Sequence, residues 1–249
     1  MAEIQGTWSQ IDIAGKDADI YEPRQSNPQP RAILHLHGHG LETLKDNPFF
    51  SAELEKHGLF AICPHGQRSW WTDEICDEFD PEITPLQYLR ESVVPEIATR
   101  WGVSSPGIGL TGISMGGQGV LQLAYRFPRE FPVVAAISPA VDFHQWHGQG
   151  LPIDDMFANR EAARQATATL QFHPLNWPRH QWMVCDPADE VWFEGVERLG
   201  MKLTSMGVPY EADFSTSAGG HSWDYFNSVA SRAIDFVAER LEQEGRRVL

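Results

Sequence analysis

Short apolar runs rich in β-branched residues recur along the chain at residues 32–36, 59–63, 108–111, 133–138, 182–185 and 209–214. Between several of them lie segments with helical spacing of apolar positions, at 48–57, 85–101, 115–127, 191–206 and 223–241. Strands alternating with helices predict an α/β fold, a mostly parallel twisted sheet with helices on both faces and right-handed crossovers. Two earlier segments, 9–13 and 18–22, flank Gly15-Lys16 and predict an N-terminal antiparallel hairpin.

No repeat or low-complexity tract interrupts the 249 residues, and the stretch Asn27-Pro28-Gln29-Pro30 is too short to separate domains, so one domain over 1–249 is expected. The longest insertion between predicted strands, 142–178, carries His144, Trp146, His147 and a weak helical pattern over 159–170. Its position predicts a cap or rim over whatever the strand ends bind.

Chemistry concentrates at three strand ends. The run at 108–111 leads into Gly112-Ile113-Ser114-Met115-Gly116-Gly117, a G-x-S-x-G between a strand and a helix. A serine in so sharp a turn needs glycine two positions to either side, where a side chain would crowd the neighbouring strand and helix. The helix behind it points its positive end at the place where an oxyanion develops. A hydroxyl needs a base, and the base an orienting acid. His221, in Ala218-Gly219-Gly220-His221-Ser222-Trp223, follows the last predicted strand and is framed by glycines. The strand 182–185 ends in Asp186-Pro187-Ala188-Asp189, either carboxylate of which could reach the imidazole. Asp before Pro commonly caps a turn, which favours Asp189; Asp213, inside a predicted strand, ranks third.

The stretch His35-Leu36-His37-Gly38-His39-Gly40 raises the question of a metal, since side chains at i, i+2 and i+4 of a strand share a face. Gly38 and Gly40 break the extended geometry, a structural zinc wants four ligands in closed geometry, and no cysteine is close in sequence. No metal and no cofactor are expected.

These motifs together resemble the esterase D family of α/β-hydrolases, which includes S-formylglutathione hydrolases and relatives among feruloyl esterases and mycolyltransferases. The resemblance runs from about Arg31 to the last helix. It is carried by the elbow Gly112 to Gly117, by Cys185-Asp186-Pro187-Ala188-Asp189, and by Gly220-His221-Ser222-Trp223-Asp224-Tyr225-Phe226. It implies the α/β-hydrolase fold and a Ser114, Asp189, His221 triad, the family placing its acid in an Asp-x-x-Asp context. It also implies an oxyanion hole from the backbone N–H of Met115 and of His39 or Gly40. The sequence departs from the family after Ser138-Pro139-Ala140, and Asp186-Pro187 replaces a glycine-containing turn.

The expected activity is therefore that of a serine hydrolase cleaving a carboxylic ester or thioester through an acyl-enzyme intermediate, as a carboxylesterase does. Acyl transfer of the mycolyltransferase type, peptidase activity, and non-catalytic ligand binding on the same scaffold are the alternatives. Trp70, Trp71, Trp146, Trp192 and Trp223 lie near predicted strand ends and are candidates for the pocket lining. A small-molecule ester is the expected partner. The net charge of −15 argues against nucleic acid, and no apolar run is long enough for a membrane span. Six acids between Asp73 and Glu82, if they border the mouth, would disfavour anionic glutathione conjugates and favour a neutral or aromatic ester, while Arg68 beside them is expected in a structural ion pair. Three widely spaced cysteines and an opening stretch without a leader pattern predict a cytoplasmic location.

Overall fold

The structure is a computed structural model that describes residues 6–247; the first five residues, part of the stretch read for a leader pattern, lie outside it. Eight strands form one sheet: β1 (Thr7–Ile13), β2 (Lys16–Glu22), β3 (Ala32–Leu36), β4 (Phe60–Pro64), β5 (Ile108–Ile113), β6 (Val133–Ile137), β7 (His180–Val184) and β8 (Glu211–Asp213). Their spatial order is β1-β2-β4-β3-β5-β6-β7-β8. The hairpin β1–β2 joins β4 antiparallel, and from β4 to β8 every pairing is parallel. The fold matches the α/β architecture and N-terminal hairpin expected from the sequence.

Helices α1 (Pro48–Lys56), α2 (Pro85–Tyr88), α3 (Val94–Trp101), α4 (Met115–Arg126), α5 (Ile153–Met156), α6 (Arg160–Gln165), α7 (Ala168–Gln171), α8 (Phe193–Ser205), α9 (Trp223–Ser228) and α10 (Ala230–Arg247) complete the chain. Period-two alternation along the strands sorts the core into two layers. Ile33, Ala61, Val133, Ala135 and Val184 meet Phe50 and Leu54 of α1 and Ile234, Val237 and Leu241 of α10. Leu34, Leu36, Leu110, Val134 and Met183 face the other way, onto Ile97, Val120, Leu123, Leu199 and Leu203. Because β3, β5, β7 and β8 run parallel, the loops carrying His37–Gly40, Ser114, Asp186–Asp189 and His221 all leave the sheet at one end, which is how four distant segments come together.

Several boundaries differ from the sequence expectation. The hairpin turns at Ala14-Gly15, both at positive φ (52° and 80°), with Lys16 already paired to Ile13; a two-residue turn of this hand takes its glycine second. The segment 85–101 is interrupted by a π-helical turn at Leu89–Val93. Pro95 has no N–H to return to the Glu91 carbonyl, and the Val94 N–H instead closes a wider ring onto Leu89. The segment 223–241 divides into α9 and α10, which runs on to Arg247. At the break the Ser228 hydroxyl donates to the Tyr225 carbonyl at 2.7 Å, the local competition that bends helices. The strand over 209–214 shrinks to three residues, since the Asp213 carboxylate takes the N–H groups of Ser215 and Thr216 and turns the chain out of the sheet.

The insertion 142–178 holds a 3₁₀ turn (Phe143–Trp146) and α5 to α7, in place of one weak helix. It packs inward through Phe143, Ile153, Phe157, Ala163 and Phe172. Among the described residues no helix is long and apolar enough to cross a membrane.

Ile234 is fully buried between α10 and the sheet. Ile234→Ala should lower the unfolding free energy by about 2–5 kcal/mol, read as a lower urea midpoint at unchanged slope.

Candidate active site

Ser114 stands between β5 and α4 with φ 57° and ψ −118°, a conformation that a side chain other than glycine adopts only when its surroundings enforce it. Two close approaches do so. A Cβ on Gly112 would lie 2.2 Å from the Gly116 carbonyl oxygen, and one on Gly116 would lie 1.8 Å from that of Leu36 on β3. Helix α4 therefore sits so near two strands that only glycine fits. The Ser114 N–H donates to Ile137 O and its carbonyl accepts from Ala140 N–H, both at 2.9 Å, which anchors the turn on β6. Gln118, one turn into α4 and fully buried, donates to the Trp70 carbonyl at 3.0 Å and accepts the Ala168 N–H at 2.8 Å. It ties the elbow helix to the Trp70 loop and to the start of α7, and no motif marks it in the sequence.

The structure brings Ser114, His221 and Asp189 into one chain of hydrogen bonds. Ser114 Oγ lies 2.9 Å from His221 Nε2, and His221 Nδ1 lies 2.6 Å from Asp189 Oδ2. Asp189 is buried, and its other oxygen accepts the N–H groups of Val191 and Trp192 at 3.1 and 3.0 Å. Burial alone would raise this carboxyl, but the hydrogen bond and charge of His221 together with those two N–H groups outweigh it and hold it below the usual carboxylate range. Phe226 packs edge-on against the imidazole, with ring centroids 5.2 Å apart.

Asp186 has a different use. Its Oδ1 caps the turn at Ala188 N–H (2.8 Å), and its Oδ2 accepts Ala218 N–H at 2.7 Å and Gly220 N–H at 2.8 Å. The two loops that present acid and histidine are thus fastened by one buried carboxylate. Burial opposes its ionisation, yet the backbone donors bring its pKa down to about 2. Asp213 engages Ser215, Thr216 and Arg232 and makes no contact with the imidazole.

The three histidines after β3 part company. His35 Nδ1 bonds Thr111 Oγ1 at 2.9 Å. His37 Nε2 accepts the Gly66 N–H at 3.0 Å, which places the proton on Nδ1, where it is donated to Gly38 O at 2.8 Å. His39 packs between Trp70 and Trp146, at centroid distances of 5.6 and 5.5 Å. Burial lowers the pKa of His35 to about 3 and that of His37 to about 4. The three rings thus have separate sets of neighbours.

A cavity of about 370 Å³ opens over Ser114 and His221, lined by Gly38, His39, Gly40, Glu42, Ile113, Trp146, Val191, Trp192, Trp223 and Phe226 among others. Three of the five singled-out tryptophans line it. Trp70 and Trp71 do not: both are fully buried one layer behind, Trp70 stacked on Phe143 at 5.1 Å and Trp71 donating to the His37 carbonyl at 3.2 Å. Trp70 backs the wall directly, its ring centroid 5.6 Å from that of Trp146. Nor do the six acids of 73–82 line the cavity. Asp73, Glu78 and Asp80 are ion-paired with Arg126, Arg68 and Lys16. The acid at the rim is Glu42, which accepts the Trp223 indole N–H at 3.0 Å; it belongs to no motif and was invisible in the sequence.

Comparison with known proteins adds the family context. The model of the family described as "Putative esterase" matches residues 77–233. No curated protein matches in sequence. The chain is similar in structure to an S-formylglutathione hydrolase from Agrobacterium tumefaciens, at 16% identity and a TM-score of 0.77, over 97% of this chain and 98% of that one. It is similar also to S-formylglutathione hydrolase from Staphylococcus aureus (15% identity, TM-score 0.76, 94% and 99% covered) and to a ferulic acid esterase (16%, 0.75, 95% and 99%).

Two outcomes follow from the geometry. Asp186→Ala removes the acceptor of three backbone N–H groups and should cost about 3 kcal/mol, seen as a lower denaturation midpoint. His37 titrates near 4 when folded against 6.5 ordinarily, so the unfolded chain binds the extra proton between those values. Stability is then full above pH 6.5 and falls as pH drops toward 4; the slope of unfolding free energy against pH in that window should be shallower in His37→Gln.

Proposed function

The chain belongs to the esterase family whose model it matches, and we propose that within it the protein is a serine hydrolase that cleaves carboxylic esters or thioesters through an acyl-enzyme. The observation that carries this reading is the continuous chain Ser114 Oγ, His221 Nε2, His221 Nδ1, Asp189 Oδ2 at 2.9 and 2.6 Å, opening into a cavity.

In the proposed reaction Ser114 Oγ attacks the carbonyl carbon while His221 Nε2 takes its proton. The ionised Asp189, held by His221 and two N–H groups, fixes the tautomer that leaves Nε2 free to accept and offsets the charge that develops on the ring. The carbonyl oxygen becomes an oxyanion facing the Met115 N–H at the start of α4, with the His39 N–H as the second donor and Gly40 as its alternative. The first-turn N–H groups of a helix have no partner within it, so the Met115 donor is available in advance. His221 then protonates the departing alcohol or thiol, and a water activated by the same ring attacks the acyl carbon and frees the acid. Nothing in the sequence calls for a metal or cofactor in these steps.

Trp146, Trp192, Trp223, Phe226, Ile113 and Val191 give the cavity an apolar wall, which suits an organic acyl or alcohol group of moderate size. The segment 142–178 supplies Trp146 to that wall and acts as a rim within a single domain. Cys63, Cys76 and Cys185 are buried and unpaired, as suits a reducing compartment such as the cytoplasm.

A fluorophosphonate should label Ser114 in the native protein. Ser114→Ala should abolish the adduct and lower ester turnover by about 10⁶-fold, and Asp189→Asn should lower kcat by about 10⁴-fold, whereas turnover unaffected by Ser114→Ala would refute the assignment. A panel of aryl esters together with S-formylglutathione, run with and without an added alcohol acceptor, reads the acyl preference and separates hydrolysis from acyl transfer.

A further inference from the structure

We propose that the cavity over Ser114 selects substrates bearing an ammonium group, so that the hydrolase, given the reading of Ser114 as nucleophile on which this rests, prefers esters or thioesters with a cationic acyl or alcohol part. Three observations on the cavity wall point the same way.

The wall is aromatic on several sides. Trp146 and Trp192 pack at a centroid distance of 5.2 Å, Trp146 continues to His39 at 5.5 Å, and Trp223 meets Phe226 edge-on at 5.6 Å. Aromatic faces carry negative potential, and an alkylammonium offers an apolar shell around a positive centre, so it gains both burial and attraction there.

The charge at the rim has one sign. Among the described residues lining the cavity, Glu42 carries the only fixed charge, and no Lys or Arg is present. Its Oε2 is held by the Trp223 indole N–H at 3.0 Å, which fastens the carboxylate beside an aromatic wall.

Two cations close to the lining residues His39 and Glu42 are already committed. Burial lowers the pKa of His39, and Arg68 and Glu78 act on the ring in opposite senses; Arg68 itself is forked onto Glu78 through Nε at 2.9 and 3.1 Å. Lys45, on the loop that carries Glu42, is paired with Asp19 at 2.9 Å. The positive charge that develops on His221 during the reaction is countered by Asp189 at 2.6 Å. A carboxylate held against the wall away from Ser114 would lose water and meet no Lys or Arg among the lining residues; a neutral group there would gain burial alone; a cation gains burial, the aromatic wall and the Glu42 carboxylate.

The test compares two thioesters of nearly equal shape, acetylthiocholine and 3,3-dimethylbutyl thioacetate, which differ in a quaternary nitrogen against a quaternary carbon. In the wild-type protein kcat/KM should favour the cation by about fivefold or more at low ionic strength, with the ratio shrinking as salt screens Glu42. In Glu42→Gln the ratio should fall severalfold toward unity. A wild-type ratio at or below one, or a ratio unchanged in Glu42→Gln, overturns the proposal. Binding is read apart from turnover by tryptophan fluorescence: choline should saturate at lower concentration than 3,3-dimethylbutanol in wild type, and the gap should close in Glu42→Gln. If neither thioester is turned over and Ser114 takes no fluorophosphonate, the hydrolase reading fails while the choline titration still decides the selectivity of the cavity.

Discussion

The contact on which the rest depends is the approach of helix α4 to strands β3 and β5. It leaves no room for a Cβ at Gly112 or Gly116 and holds Ser114 at a φ of 57°. Left-handed backbone at a serine costs on the order of 1–3 kcal/mol, and the packing of α4 against both strands offsets it. The same approach lifts the hydroxyl out of the sheet and aims the helix N-terminus at the space beside it. Position and electrostatic setting of the serine are therefore consequences of one packing event.

Around that fixed point two neighbouring carboxylates divide the remaining work. Asp189 turns toward the imidazole and Asp186 toward the backbone of the loop that carries it. Three residues apart across a turn closed by the Asp189 N–H on the Asp186 carbonyl at 2.9 Å, they reach the same loop at different points, one its backbone and the other its imidazole. Anchoring the histidine loop by its backbone leaves the imidazole side chain partly open, 30% exposed and facing the cavity, so rigidity and access do not compete. Buried ionised groups are tolerated here because every oxygen has donors.

Charge is distributed with similar economy of place. The chain carries a net charge of −15, yet in the dense acidic stretch from Asp73 to Glu82 three acids are ion-paired with Arg68, Arg126 and Lys16, and none of its acids lines the cavity. The charged residue that lines the cavity is Glu42, from a loop with no compositional signature. Local charge density along the sequence and local potential at a site are different quantities, since pairing cancels the first and geometry selects the second.

The sequence by itself determined what depends on spacing and steric necessity: the strand and helix order, the hairpin, the glycines around Ser114, and the candidacy of His221 and of the acids at the end of β7. Such features are legible because period-two and 3.6-residue patterns and obligatory glycines act over a few residues. Helix ends and breaks were less so, because Pro95 and the Ser228 hydroxyl act through single hydrogen bonds that periodicity averages over. For the acid, where the Asp-Pro turn already favoured Asp189, the tertiary structure supplied the 2.6 Å contact with the imidazole; it alone decided which tryptophans line the cavity and which stand behind it, where the three histidines of β3 and its loop go, and that Glu42 holds the rim. Those outcomes rest on partners such as Gly66 for His37 and Trp223 for Glu42, 29 and 181 residues apart in the chain, set by how loops pack after the sheet has formed, and no local pattern encodes them.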